Sequence, residues 1–262
     1  MKPVLPTLGL ALTLLPGAGA WAQWQASASA GLRQVQMAEV DSQGRLLVRE
    51  HGLLPGLQGE AAYQAGDWRL SARADLYQHR IRYRGQVQDG PPLASNTGTR
   101  QGRVGFEAAH PLTAGSSLIG GFEWDHWRRD IEGHGSTLGL RERYTTWRWL
   151  TGAQTQWLLH SAASLTGSAL LVLAQPERLR VRFDGHVYDD VDFKTRSASG
   201  LRLTLTLQPA LVAKLSITAE LDALNIRRSN DATLRQDGVA VGTVAQPRHS
   251  RRALGVRVNY SF

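Results

Sequence analysis

The sequence predicts an all-β protein, a closed antiparallel transmembrane β-barrel of ten strands. Three observations predict it. The last eight residues, from Gly255 to Phe262, alternate with period two: Val256, Val258, Tyr260 and Phe262 share one face, and Arg257, Asn259 and Ser261 share the other. The chain opens on a short apolar run followed by small residues. Between these ends, alternating segments are separated in turn by short turns and longer polar loops.

Residues 1–22 read as a signal peptide. Lys2 gives the positive start, residues 4–15 are apolar, Pro16 and Gly17 break the run, and Ala20-Trp21-Ala22 fits an A-x-A cleavage site. The apolar run is well short of the ~20 residues that span a bilayer as a helix, and charges interrupt every later one. The barrel domain is then 23–262. Its final strand resembles the terminal strand by which bacterial outer-membrane barrels are recognised and inserted. That resemblance makes the cell outer membrane of a Gram-negative bacterium the expected location. It also makes Val256, Val258, Tyr260 and Phe262 the expected contacts of the barrel-assembly machinery.

The strands follow in order. The first covers 24–40, and 41–55 is a loop. The second covers 56–65, and Gly66-Asp67 makes a hairpin turn. In the third, 68–83, Trp68, Leu70, Ala72, Ala74 and Leu76 alternate with Arg69, Ser71, Arg73 and Asp75. A loop at 84–98 carries Asp89-Gly90-Pro91-Pro92. The fourth covers 99–109, the fifth 117–129, the sixth 138–157 and the seventh 165–183. Proline cannot donate to a central ladder, so Gln175-Pro176 marks a bulge. The eighth covers 193–207, with Leu201, Leu203, Leu205 and Leu207 toward lipid. The ninth covers 214–227, with Leu215, Ile217, Ala219 and Leu221 outward. A long loop at 228–250 precedes the tenth at 251–262. Short turns near 66, 113, 161 and 210 fall at one end and the longer loops at the other, as in barrels with periplasmic turns and extracellular loops. Eight or twelve strands are the alternatives. Aromatic residues at strand ends, Trp68, Tyr83, Trp124, Trp127, Tyr144, Trp147, Trp149 and Tyr260, suit interfacial girdles.

The chain has no cysteine, which excludes disulfides and thiolate metal sites. Its basic residues are 27 arginines and three lysines, with a formal net charge of +8. They are spread along strands, not gathered in a patch, so nucleic acid is not an expected partner. No metal or cofactor is expected. Arginines inside a narrow barrel pair with carboxylates, and arginines at the outer rim meet the phosphates of lipopolysaccharide. Extending the phase of the lipid-facing residues puts a charge network in the lumen: Arg69, Arg73, Asp75, Arg103, Glu107, Glu123, Asp125, Arg141, Arg143, Arg180, Arg182, Arg202, Glu220, Asp222 and Arg257. A ten-stranded barrel is narrow enough for such charges to fill it. The alternative is a narrow pore whose arginine excess favours anions.

Two polar clusters fall at loop bases, 124–134 and 184–192. In the second, Asp184 and His186 are two residues apart, so a strand would set both on one face, with the carboxylate orienting the imidazole as a general base. The aspartates beside them offer oxygen ligands for a hard cation as the alternative, and a solvated surface loop is the structural one. No serine sits in an evident His-Ser arrangement for lipase or deacylase chemistry.

Asp184-x-His186 followed by Tyr188, the turn at Gln208-Pro209 and the ending 255–262 resemble the C-terminal third of the omptin proteases, ten-stranded outer-membrane barrels. Leu140-Arg141-Glu142-Arg143-Tyr144 is similar to that family's basic sixth strand. The resemblance implies Asp184 and His186 as catalytic residues of an endopeptidase. It also implies lipopolysaccharide binding through outward basic residues, with Arg128 and Arg252 in that role. The sequence departs from the family at the second outer loop, where omptins carry a carboxylate pair that holds the attacking water. Residues 79–89 here are basic, with Asp89 alone. The functional expectation is therefore a noncatalytic barrel whose extracellular loops bind a ligand, lipopolysaccharide or a partner. An omptin-like hydrolase and an anion pore are the alternatives.

Overall fold

The computed structural model describes residues 24–86, 92–135, 137–159 and 163–262. The expected signal peptide, Asp89 and most of the turn near 161 lie outside them. The strands are β1 (Trp24–Val40), β2 (Leu46–Ala65), β3 (Trp68–Gln86), β4 (Pro92–Thr113), β5 (Ser116–Ile131), β6 (Leu140–Leu159), β7 (Ala163–Ala174), β8 (Arg178–Phe183), β9 (Val191–Lys194), β10 (Ala198–Pro209), β11 (Leu215–Ile226), β12 (Ala232–Gln236), β13 (Val239–Val244) and β14 (Arg248–Ser261). All pairings are antiparallel. β7 and β8 both pair with β6 and form one interrupted strand, as do β9 and β10 next to them. The wall thus has ten positions. It closes because β1 pairs with β14 at one seam and β5 pairs with β6 at the other. Closure leaves no ladder edge exposed to hydrocarbon, where an unmade backbone hydrogen bond is costly.

β1 runs over the residues expected for it. Several other strands run further, because a wall that continues above the membrane keeps pairing where the sequence turns polar. The expected loop at 41–55 shrinks to the turn before Leu46, and β4 begins at Pro92 instead of residue 99. Within the long loop at 228–250, β12 and β13 form a hairpin of their own.

The lipid-facing wall is apolar. Leu201, Leu203, Leu205, Leu215, Ile217, Leu254, Val256 and Val258 are exposed outward. Aromatic residues bound this band. Trp24 packs on Tyr63 and Trp68 on His110 near the end where β1 begins and β14 finishes, where Tyr260 and Phe262 also meet. Trp147 and Trp157 lie ten residues apart on β6. At about 3.3 Å per residue and a tilt of about 40°, this gives a band about 25 Å tall. Three aromatics expected in the girdles face inward instead: Tyr83, Trp127 and Tyr144 are buried in the lumen.

The lumen is packed. Gly56 faces Tyr77 across the β2–β3 pair, and a Cβ there would lie 2.3 Å from the tyrosine ring. The ring uses that space, and the Arg33 guanidinium stacks on it at 3.7 Å. An aliphatic cluster around Leu150, Val172, Leu224 and Ile226 fills one side. Met37, Trp127, Tyr144, Leu179, Val181, Val191 and Phe193 fill the region toward the long loops.

Leu203 lies at the middle of the lipid band, so Leu203→Arg is expected to destabilise the barrel by about 2–4 kcal/mol. Urea unfolding in phospholipid vesicles, followed by tryptophan fluorescence, measures this.

Candidate functional site

At mid-height the inner wall carries, among the described residues, seven arginines and seven carboxylates in one connected network. Arg33 and Arg103 bind Asp75, and Arg103 reaches Glu220 at 2.9 Å. Arg202 binds Glu123 at 2.7 Å and Asp222, and Arg148 binds Asp125 at 2.8 Å. Arg73 joins Glu107 and Glu123, Arg257 joins Glu220, and Arg251 joins Asp125 and Glu177. His249 Nε2 lies 3.1 Å from Glu177. The network is neutral in sum, which is what makes so many buried ions tolerable. The cavity beside it, lined by Arg33, Arg103, Asp125 and Arg148, measures about 40 Å³, room for about one water. Nearer the long loops, Arg129 is buried among Glu39, Glu50 and Glu142, and the Tyr144 hydroxyl donates to Glu142 at 2.8 Å.

Of the residues expected in the lumen, Arg73, Asp75, Arg103, Glu107, Glu123, Asp125, Arg202, Glu220, Asp222 and Arg257 lie in this network. Arg69 is largely exposed and pairs with Glu60. Arg141, Arg143, Arg180 and Arg182, expected inside, stand on the outer surface. Two causes account for them. In β6 the outward Trp147 and Trp149 share odd parity with Arg141 and Arg143, so the tryptophans fix the arginines outside and place Glu142 and Arg148 inside. In β7 the bulge at Gln175-Pro176 adds one residue. Leu171 and Leu173 point outward before it and Arg178, Arg180 and Arg182 after it. Sequence reasoning missed Arg33, Arg129, Arg148 and Arg251 and the acids Glu39, Glu50, Glu142 and Glu177. The tryptophan parity would have found Glu142 and Arg148.

Asp184 and His186 are not on a strand. β8 ends at Phe183 and the chain enters a 3₁₀ turn, with Gly185 at φ 71° and His186 at φ 53°. This corrects the premise that a strand sets both on one face. The Asp184 carboxylate pairs with Arg141 at 3.2 Å, and its backbone N–H donates to the Gly139 carbonyl. His186 is exposed and has no hydrogen-bond or ion-pair partner among the described residues. Asp75 and Asp125 are held by arginines in the mid-lumen network. Asp189 accepts from the Gly238 N–H at 3.0 Å, so this loop is fastened to the β12–β13 hairpin. No group of histidines and carboxylates suited to a metal occurs among the described residues.

The outer wall above the aromatic band holds a different arrangement. Register sets Arg100 opposite Arg128, Arg128 opposite Arg143, and Arg143 opposite Arg180 across β4, β5, β6 and β8. Next to them Arg178 lies opposite Lys194. Arg128 is tied to Asp130 at 3.0 Å and Arg180 to Asp192 at 2.8 Å. Arg100, Arg143, Arg178 and Lys194 have no ion-pair partner among the described residues. Trp124 and Trp147, themselves a cross-strand pair, lie four residues below Arg128 and Arg143 on the same outward face. Arg252 is exposed on β14, opposite Gln36 and Ala223, and is not part of this row.

A closed ten-position wall, apolar outside and ionic within, defines an outer-membrane β-barrel protein. Among solved structures the chain is similar to the outer membrane protease OmpT from Escherichia coli, with a TM-score of 0.54 at 7% identity over 91% of this chain and 97% of that one. It is also similar to the translocator domain of the autotransporter NalP from Neisseria meningitidis (TM-score 0.46, 11% identity, 91% and 88% covered). The β domain of the Bordetella autotransporter BrkA is a third (TM-score 0.46, 15% identity, 92% and 100% covered). At these identities the likeness is one of fold. No protein-family model and no curated protein matches the sequence.

Arg202→Met leaves Glu123 and Asp222 short of a partner in a buried site, and a loss of about 3–5 kcal/mol is expected. Equilibrium unfolding of the variant in detergent micelles provides the check.

Proposed function

We propose that this protein is a noncatalytic outer-membrane barrel that binds lipopolysaccharide through the phosphates of its lipid A and inner core. The reading rests on one observation: arginines stand opposite arginines at Arg100, Arg128, Arg143 and Arg180, directly above an outward aromatic band. Like charges opposed across strands destabilise a sheet unless an anion lies between them. Guanidinium groups at that height are matched to phosphate by their planar donor fork. Arg128 belongs to this row. Arg252 would contact lipid separately on β14. The terminal strand, with Val256, Val258, Tyr260 and Phe262 outward, suits delivery by the barrel-assembly machinery.

The loop geometry supports the noncatalytic side of the reading. A water-activating pair needs Asp184 to orient His186, and Asp184 is instead engaged by Arg141. The filled lumen likewise supports a plugged barrel over an anion pore.

Replacing Arg100, Arg143 and Arg178 together with serine is expected to weaken binding of bis-phosphorylated lipid A in mixed micelles. The loss should be roughly tenfold per lost contact, since a hydrogen bond to a charged group contributes about 1.5 kcal/mol or more. Dephosphorylated lipid A should bind both forms alike. Equal affinity of wild type and variant for the bis-phosphate would remove the basis of the reading.

Refolded protein with lipopolysaccharide is expected to leave basic peptides uncut, and His186→Ala to change nothing. Cleavage that disappears in His186→Ala would establish the hydrolase alternative instead.

A further inference from the structure

A second basic site lies on the other side of the barrel. The turn between β1 and β2 and the β12–β13 hairpin enclose a cleft of about 1180 Å³ at the long-loop end. Three acids line it, and each already has an arginine. Asp41 binds Arg45 at 2.6 Å and accepts the Gln43 and Arg45 backbone N–H groups. The Arg45 hydrogen bond holds its carboxyl below the usual range, so it remains ionised. Asp231 is bonded to Arg228, and Glu39 turns inward to Arg129 at 3.3 Å.

Three further arginines line the same cleft with no ion-pair partner among the described residues: Arg196, Arg227 and Arg248. All three are exposed. Ile226 and His249 form the last rung of the β11–β14 ladder, and Arg227 and Arg248 are the residues next to it on either strand. Arginines gathered in one cleft, with every acid that lines it among the described residues already engaged, make a site of concentrated positive charge, open to the medium and walled on two sides.

We propose that this cleft binds a soluble, saccharide-sized ligand carrying two or more phosphate groups, held by Arg196, Arg227 and Arg248. Each guanidinium offers a bidentate face to one phosphate, and the cleft volume exceeds what a single phosphate needs. The site is separate from the arginine row on β4, β5, β6 and β8 and does not depend on it. Its chemistry would also accept phosphates of a lipid headgroup, so the test separates the two sources.

The probe is inositol hexakisphosphate, titrated calorimetrically into the full chain in detergent free of lipopolysaccharide, and again in micelles containing it. Saturable binding is expected in both. The triple variant Arg196→Ser, Arg227→Ser, Arg248→Ser should lose at least 100-fold in affinity, and the control Arg69→Ser, at the opposite end of the barrel, should bind as wild type does. Arg227→Glu alone should lose tenfold or more, which keeps the test available if the triple variant folds poorly. The SDS-resistant folded band reports folding. Absence of binding to the wild type, or equal binding by a folded cleft variant, would overturn the proposal. So would loss of binding only in the Arg69→Ser control. Abolition of binding by lipopolysaccharide would assign the cleft to the lipid instead of a soluble ligand.

Discussion

The interaction on which the barrel depends is the one between Arg202, Glu123 and Asp222. It joins β10, β5 and β11 through the lumen, so opposite parts of the wall are tied directly and not only through the ladder. A ten-position wall encloses too little space for a broad aqueous channel. Whatever points inward must therefore satisfy itself. Seven arginines and seven carboxylates do so by sharing partners: Arg103 serves Asp75, Glu220 and Asp222, and Arg148 serves Glu123 and Asp125. Taking any one ion from such a set leaves its neighbours buried and uncompensated. Replacing a whole set by packed apolar groups would cost far less.

Above the lipid band the outside turns polar and the inside becomes mixed, with an apolar cluster beside the buried Arg129, Glu39, Glu50 and Glu142. There the outer surface carries Arg141, Arg143, Arg180 and Arg182, and the lumen holds Tyr144, Leu179, Val181 and Phe193. The physical reason is the change of solvent. Once the wall leaves hydrocarbon, its outside meets water and headgroups and its inside is the only place left to bury apolar surface. The long-loop end therefore folds like a small soluble β-protein built on top of a membrane barrel. Its own core fastens the 184–190 turn and the β12–β13 hairpin.

The change of solvent also places many arginines on the outer surface. Two groups of them include arginines with no acidic partner among the described residues: Arg100, Arg143 and Arg178 on the wall over the aromatic band, and Arg196, Arg227 and Arg248 in the cleft beside the β12–β13 hairpin. Their separation around the barrel suits two ligands of related charge and different origin, one embedded in the membrane and one arriving from the medium. The Asp184–His186 segment fits neither group. Its backbone turns at Gly185 and its carboxylate pairs with Arg141.

The barrel class, the lipid face and the approximate strand order were legible in the residues alone. Each rests on period-two alternation and on turn chemistry, which are local: Leu201 to Leu207 and Val256 to Phe262 declare their faces without reference to any other strand. The bulge at Gln175-Pro176 was legible too, from proline's missing donor. What its extra residue did to Arg180 and Arg182 followed only once the parity on both sides was known. Tertiary structure alone decided the rest. Glu50 and Arg129 are far apart in sequence, and nothing local marks them as partners. The opposition of Arg100, Arg128, Arg143 and Arg180 is a matter of register between strands, and register is set by closure of the whole wall. Asp184 and His186 show the converse, since spacing of two means one face only if the chain is extended, and a left-handed glycine at 185 ended the strand before them.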